Sequence, residues 1–552
     1  MSRDLISASW RDGLARSSGR PTSRGRASPC CRPVDGQTGC LRRKSEAVAF
    51  FGVPRSRSWA LLAAGLFLVA FAVRLVPLLV GGGPWGLGDY DDGVHYAAAA
   101  ALLHGHLPYR DYLFLNPPGI VLAAVPVVGM SQLLGEPDAF AAGRLLWMGL
   151  GSLTCVLVAR FVLPLGLAAA AIAGLAYATF PPAVIVDHLL LQEGLQNLLF
   201  AAALLAIALA ADGRARWLLV AGGLLGVATM VKIWAITAVL VVAVFLGMTV
   251  GWRRAGIFAC GVAAGGVMVG LPFFLAAQGL MWEMVVIDQV RRVWFGTIWQ
   301  RLATITGVSL WSPGSGFTAV VAVAVVALGV LLCAAFTVRR LRLVAALLVV
   351  FAVVVLVTPS PHMHYGALVA VPAAIVVGGG AWRLADARWS RVTPALVAAS
   401  LLVAGLFVRA VPALSYKPEF KYAPGMYGIK FPSATLRTAA LMGKCVTSND
   451  PTTLVLLNVL NRNLSRGCPF VVDVSGAAYH GELWTGESRF ANEAWQRYAL
   501  GVFRSGDLMI MNPYAPSGYT NTTLKIIRSW PTVKKAGVWH LRTPRPPDAG
   551  GY

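Results

Sequence analysis

Long apolar stretches separated by short polar or basic turns set the pattern of this 552-residue chain. They run at approximately 59–80, 142–161, 165–183, 189–210, 216–231, 233–250, 255–277, 317–337, 343–358, 365–381 and 392–411. An α-helix needs about 20 mostly apolar residues to cross a bilayer, so the pattern predicts a polytopic α-helical membrane protein of about 11 transmembrane helices. One more apolar piece, 119–134, is shorter. Loop charge decides how it lies. A basic N-terminal segment places that end inside, by the excess of Lys and Arg found on cytoplasmic loops. If 119–134 does not cross, the basic loops at Arg214 and Arg216, Arg253 and Arg254, Arg339 to Arg342, and Arg383 to Arg391 all fall inside. If it crosses, all fall outside. The expectation is therefore a juxtamembrane helix on the outer face.

The same count puts on one outer side the acidic segment 85–117, the turn at Asp187–Glu193, Lys232, the long loop 278–316 and the stretch Ser360 to Tyr365. Polar residues that do not serve orientation thus gather at one membrane surface. The chain is 57% hydrophobic and only 13% charged, with a formal net charge of +23, where a soluble domain carries roughly 25% charged residues. The basic residues sit in the tail, the loops and the C-terminal region, which argues against nucleic acid as a partner. Residues 1–57, rich in Arg, Ser and Pro and without apolar periodicity, are expected to be a disordered cytoplasmic tail. Residues 58–412 form the membrane part.

From 413 to 552 the composition changes, and a small extracytoplasmic α/β domain is expected. Thr452–Val459, Pro469–Val474, Asp507–Met511 and Val538–Leu541 have the pattern of short strands. Ser488–Phe503 reads as an amphipathic helix with Phe490, Ala494 and Trp495 on one face. Cys445 and Cys468 lie in this region, where an oxidising compartment permits a disulfide; two free buried thiols are the alternative.

Chemistry concentrates at Gly88-Asp89-Tyr90-Asp91-Asp92-Gly93-Val94-His95-Tyr96, which runs on to Asn116-Pro117-Pro118-Gly119. Asp91 and Asp92 are adjacent and would point about 100° apart on a helix, so only one faces any reacting centre. An Asp here either acts as a general base or caps the helix that follows. Glu193, accompanied by Gln192, Gln196 and Asn197, opens an apolar span, where a carboxylate is costly unless it borders a polar cavity; Asp187, in the preceding turn, is a weaker member of the same group. Lys232 interrupts an apolar run and either meets an anionic phosphate or snorkels to headgroups. Arg144, Arg291, Arg292 and Arg301 are further phosphate candidates. Arg291 and Arg292, among Trp282, Trp294 and Trp299, suggest an interfacial amphipathic helix whose partners are membrane lipids or substrate. His362 and His364, two apart with no third ligand nearby, make a poor metal pair; no cofactor is called for, and a divalent cation has little support. No phosphate-cradling Gly-x4-Gly-Lys-Ser/Thr occurs, so an ATP-driven pump has none either.

The order Asp91-Asp92-Gly93-Val94-His95-Tyr96, then Gly105, Pro108-Tyr109-Arg110-Asp111 and Asn116-Pro117-Pro118-Gly119, resembles the outer loop of the C-type (GT-C) membrane glycosyltransferases. It is most similar to the bacterial branch related to protein O-mannosyltransferases and the aminoarabinose transferase. The resemblance continues through Arg144, Glu193, Lys232 and, loosely, His364-Tyr365. It implies a polyprenyl-phosphate-linked sugar as donor, a lipid, protein or polysaccharide acceptor, and inversion at the anomeric carbon. It also implies that Asp91 is the base, with Asp92 and Glu193 shaping the site and Lys232, Arg144, His362, His364, Arg291 and Arg292 near the donor phosphate. His95, Tyr96, Asn116 and Asp187 would line the loop or the acceptor side. Two positions depart from the family: Asn116 replaces a frequent cation, and His95 a common Tyr. The implied location is the plasma membrane, multi-pass. A non-enzymatic lipid-glycan transporter or flippase is the rival; it would place its ionisable groups near mid-membrane rather than at one surface.

Overall fold

The computed structural model describes residues 56–211, 214–308, 316–360, 362–386, 429–514 and 518–544. The expected tail at 1–57 (all but its last two residues), the expected span 392–411 and the start of the expected C-terminal domain at 413–428 lie outside the described residues.

Among the described residues, seven helices are long and apolar enough to cross a membrane, and eight if the bent pair Leu167–Thr179 and Pro181–Asp187 counts as one. The chain is a multi-pass integral membrane protein. The expectation of eleven is corrected in its details by backbone breaks. Pro181 and Pro182 stop one helix and start the next, with a 64° bend between them, because proline cannot donate to the preceding turn. Lys232 adopts extended backbone at the end of Arg216–Val231, and Ala235–Thr249 follows it. A 16-residue helix spans only about 24 Å, less than the roughly 30 Å hydrocarbon core. The segment 119–134 folds as Gly119–Gly129 and Ser131–Leu134 and is likewise too short to count as a span.

The helices Arg216–Val231 and Trp252–Trp282 pack backbone against backbone. A Cβ at Gly222 would lie 2.1 Å from the Phe258 carbonyl oxygen, and one at Gly265 would lie 2.2 Å from that of Gly223. Small residues four apart let backbones touch where lipid offers no hydrophobic drive.

The C-terminal region is built round a four-stranded mixed sheet: β1 (Val446–Ser448), β2 (Leu508–Ile510), β3 (Thr532–Ala536) and β4 (Trp539–Arg542), in the order β1-β2-β4-β3. β1 and β2 run parallel, and β3 and β4 form a hairpin. Helix Glu493–Arg504 covers one face with Trp495, Ala499, Leu500 and Phe503, all buried; Phe490, expected on that face, precedes the helix and is exposed. Cys445 and Cys468 are joined by a disulfide that ties the start of β1 to the end of helix Leu460–Ser465. Two expected strands are absent. Thr452–Val459 is instead mainly helix Pro451–Leu456, because Asp450 caps it through the Thr452 N–H (2.9 Å) and Pro451 occupies its first turn. Pro469–Val474 is irregular.

This region is not a detached body. Val446, Val455, Leu456 and Leu541 share one hydrophobic cluster with Val94, Tyr96 and Phe114 from the acidic segment. Leu87 also bridges to Ile429.

Candidate active site

The acidic segment becomes helix Tyr90–Leu103, and its cap is Asp89, whose carboxylate accepts the Asp91 N–H (3.1 Å). Asp89 thereby takes the capping role that Asp91 and Asp92 had as their alternative. Ala97 to Ala101 are all buried and supply strong helix formers. Gly93 is required by contact: a Cβ there would sit 2.2 Å from Thr452 Oγ1, so the C-terminal region rests directly on this helix.

Asp92 points inward. Its Oδ2 accepts from Arg144 Nε (3.0 Å) and Nη2 (2.6 Å), and its Oδ1 from the Leu190 N–H (3.0 Å). Arg144 also donates to the carbonyls of Pro84 (2.6 Å) and Gly86 (2.7 Å), and both side chains are fully buried. Arg144 and Asp92 thus spend these hydrogen bonds on the joint between this helix, the segment before it and Leu190. His95 braces the same joint. Its ring contacts the Leu190 carbonyl through Nδ1 (2.7 Å) and the Gln192 amide through Nε2 (2.9 Å). Burial lowers its pKa, so the neutral ring donates from Nδ1–H and accepts at Nε2. Tyr96 is buried edge-on to Phe140.

Asp187, expected in a loop site, is a buried partner of Arg74 (2.6 Å) and accepts from the Tyr177 hydroxyl (3.1 Å). Arg74 lies inside the first apolar span, where the hydrophobic pattern gives it no mark. The Arg301 guanidinium donates to the carbonyls of Phe295, Leu356, Thr358 and Pro359. Asn116 contributes its carbonyl to the Tyr109 hydroxyl (2.6 Å).

What remains is a cluster with unsatisfied charge. Glu193, in the first turn of Gln192–Ala210, forms an ion pair with Lys232. The Lys232 ammonium also lies 4.9 Å from both the Trp234 and Tyr365 ring centres, a cation–π arrangement. His364 Nε2 is 3.9 Å from Glu193 Oε1, and the His362 and His364 rings are parallel at 5.4 Å. Arg292 does not lie on an amphipathic helix: the preceding helix ends at Val290 and the next starts at Ile298. It turns inward, donates to the Tyr365 hydroxyl (3.2 Å) and stands 5.2 Å over the Tyr479 ring. Its Nε is buried with no hydrogen-bond partner. Arg291 stays exposed.

Asp91 faces this cluster. Its half-buried carboxylate accepts no hydrogen bond from any described residue, and the cations acting on it are Lys232 and Arg292, then Arg489. Burial raises its pKa above the ordinary carboxylate range, and those cations pull it part of the way back. Burial and the neighbouring Asp91 charge push Asp89 up to about 7. Two participants escaped the sequence reading. Asp473, in the expected strand 469–474, accepts from the Tyr90 hydroxyl (2.9 Å) and is raised by burial and by Asp91; Arg489 lies in the loop before helix Glu493–Arg504. Nothing local in the sequence marks either. A separate cavity of about 460 Å³, bordered by His104, Gln132, Glu136 and Arg462, holds none of these groups.

No family model matches this sequence, and no curated protein sequence matches it. Solved structures do. ArnT from Cupriavidus metallidurans bound to undecaprenyl phosphate aligns with a TM-score of 0.54 at 17% identity, covering 88% of this chain and 97% of that one. The chain has the ArnT fold. The apo state of the same ArnT gives 0.53 over the same shares. The Archaeoglobus fulgidus oligosaccharyltransferase tethered to an acceptor peptide aligns at 0.49 and 11% identity, over 83% of this chain and 69% of its own. ArnT is a GT-C membrane glycosyltransferase, and the likeness, which is one of fold, covers nearly all of the ArnT chain.

Proposed function

We propose that this protein transfers a sugar from a polyprenyl-phosphate donor to an acceptor at the outer face of the plasma membrane, with inversion and with Asp91 as general base. One observation carries the proposal. Asp91, a carboxylate with no hydrogen bond, faces Lys232 and an Arg292 guanidinium whose buried Nε lacks a partner. A buried donor left unpaired is costly, and an anionic ligand would satisfy it. The solved structure of ArnT bound to undecaprenyl phosphate makes a lipid phosphate the natural candidate.

In this reading the acceptor hydroxyl gives its proton to Asp91 as its oxygen bonds to the anomeric carbon. The bond from that carbon to the phosphate oxygen breaks, and the lipid phosphate leaves with the electron pair. Arg292 and Lys232 offset its charge through charge-assisted hydrogen bonds. Glu193, with His364 beside it, orients Lys232. The raised pKa of Asp91 brings the base nearer to the working pH.

The test uses purified protein with a polyprenyl-phosphate sugar. Wild type releases or transfers sugar, and Asp91→Asn lowers turnover by at least ~100-fold, the scale of general-base effects. Wild-type turnover in the variant overturns the assignment.

A further inference from the structure

A second cluster lies beside the proposed active site, on residues it does not use. Glu283, Asp288 and His480 bring one donor atom each to within 4.8 Å of one another. The local backbone explains how two of them meet. In an α-helix, residues five apart point about 140° away from each other. Here Glu283–Ile287 forms a π turn, with the Asp288 N–H donating to the Glu283 carbonyl. That wider turn brings the two carboxylates towards one side, and such turns recur at functional sites. His480 follows the short helix Gly476–Tyr479 of the C-terminal region.

The Asp288 side chain is fully buried. Its Oδ2 takes the hydrogen bond from His480 Nδ1 (2.8 Å), while its Oδ1 is buried without any hydrogen-bond partner. A buried carboxylate oxygen in that condition is expensive. The His480 pair satisfies one oxygen of the group and leaves the other unpaired, with Glu283 in the same cluster of donors.

We propose that Glu283, Asp288 and His480 form a binding site for a transition-metal dication, of which Zn2+ is the representative. One imidazole and two carboxylates suit a borderline ion. Zn–N and Zn–O bonds of about 2.0–2.2 Å put tetrahedral donors roughly 3.4 Å apart, so small side-chain rotations from the present spacing close the set. The two carboxylate charges balance the dication, and a neutral His480 binds without a change in net protonation. The bound ion ties the end of the long helix to the C-terminal region, one turn from Arg292 and adjacent to Tyr479.

Metal-stripped full-length protein in detergent is incubated with Zn2+, passed through a desalting column and assayed by elemental analysis. Wild type should retain about one Zn2+ per chain. Asp288→Asn keeps the size of the side chain and an acceptor for His480 but loses the ligand charge, and it should retain little or none; His480→Gln should do the same. Cobalt-substituted wild type should show visible ligand-field absorption that both variants lack. No retention by wild type overturns the proposal, however the variants behave. Equal retention by wild type and both variants also overturns it, because the ion is then held elsewhere. Sugar transfer is not read in any arm, so a failure here is distinct from a failure of the transferase assignment.

Discussion

Two charge clusters of similar composition lie close together and behave differently. In the first, Asp92 with Arg144, and Asp187 with Arg74, are ion pairs with 0% side-chain exposure, backed by carbonyls, an N–H and a tyrosine, although Asp187 Oδ1 is buried without a hydrogen-bond partner. In the second, Asp91 accepts nothing, Arg292 Nε lacks a partner, and the Glu193–Lys232 pair has a histidine and two aromatic rings at its side. Asp91 and Asp92 are neighbours in sequence and belong to opposite clusters. Charge and burial alone do not distinguish the two clusters; what does is that each aspartate of the first has an arginine in an ion pair, while Asp91 has none.

The most direct way to break this comparison is to neutralise each aspartate in turn. Asp91→Asn should leave the unfolding temperature in detergent close to wild type while turnover falls at least ~100-fold. Asp92→Asn should do the reverse at first sight, by leaving the buried Arg144 guanidinium without its counter-charge, at a cost of about 3–5 kcal/mol. Its signature is a lower unfolding temperature and poor yield, with activity lost in proportion to folded protein. If both variants fold normally and lose turnover equally, the separation of the clusters fails.

A smaller effect sharpens the open side of the comparison. Arg292→Gln removes a charge-assisted contact of about 1.5–3 kcal/mol, which corresponds to a rise in KM for the lipid-linked donor of roughly 10- to 150-fold. Arg291→Gln, one residue away and exposed, should leave KM unchanged. Steady-state kinetics with varied donor reads both. Equal effects would reduce Arg292 to general attraction by positive charge.

Much of this arrangement was legible in the hydrophobic pattern. The helices, the acidic loop and the membrane class follow from long apolar runs and a rare cluster of carboxylates, and Glu193 with Lys232 stood out because charge is costly inside a span. The rest needed three dimensions. The choice between Asp91 and Asp92 turned on Asp89, which took the cap, and on Arg144, 52 residues further on, which took Asp92. Arg74 was hidden by the apolar residues around it. The helix at Pro451–Leu456 was within reach, since Asp450-Pro451 is a helix start, but the apolar run that follows it resembled a strand. Asp473 and Arg489 are drawn to the site only by how the C-terminal region settles on Gly93, and no local pattern encodes that.

The smallest expected effect concerns proton binding at the rim of the open cluster. Asp89 is raised from 3.8 to about 7 by burial first and by the Asp91 charge second, and Asp91 is raised as well. Such neighbours titrate as a pair with shared macroscopic steps. A folded-state pKa above the unfolded value means that the folded chain holds the proton more tightly. The resulting stability is fully present below the unfolded value near 3.8 and is lost as pH rises through about 7. Catalysis runs the other way, because the base acts only when ionised, so kcat/KM should climb over the window in which thermal stability declines. Asp89→Asn tests the link, since Asn still caps the helix but removes the like charge beside Asp91. Because Asp91 ionises while Asp89 still holds its proton, the acidic limb of the pH–rate profile should stay in place, whereas the slope of stability against pH should flatten. A limb that moves to lower pH would show instead that Asp89 carries its charge while the base ionises; a limb that stays leaves Asp91 governed by burial, Lys232, Arg292, Glu193 and Arg489.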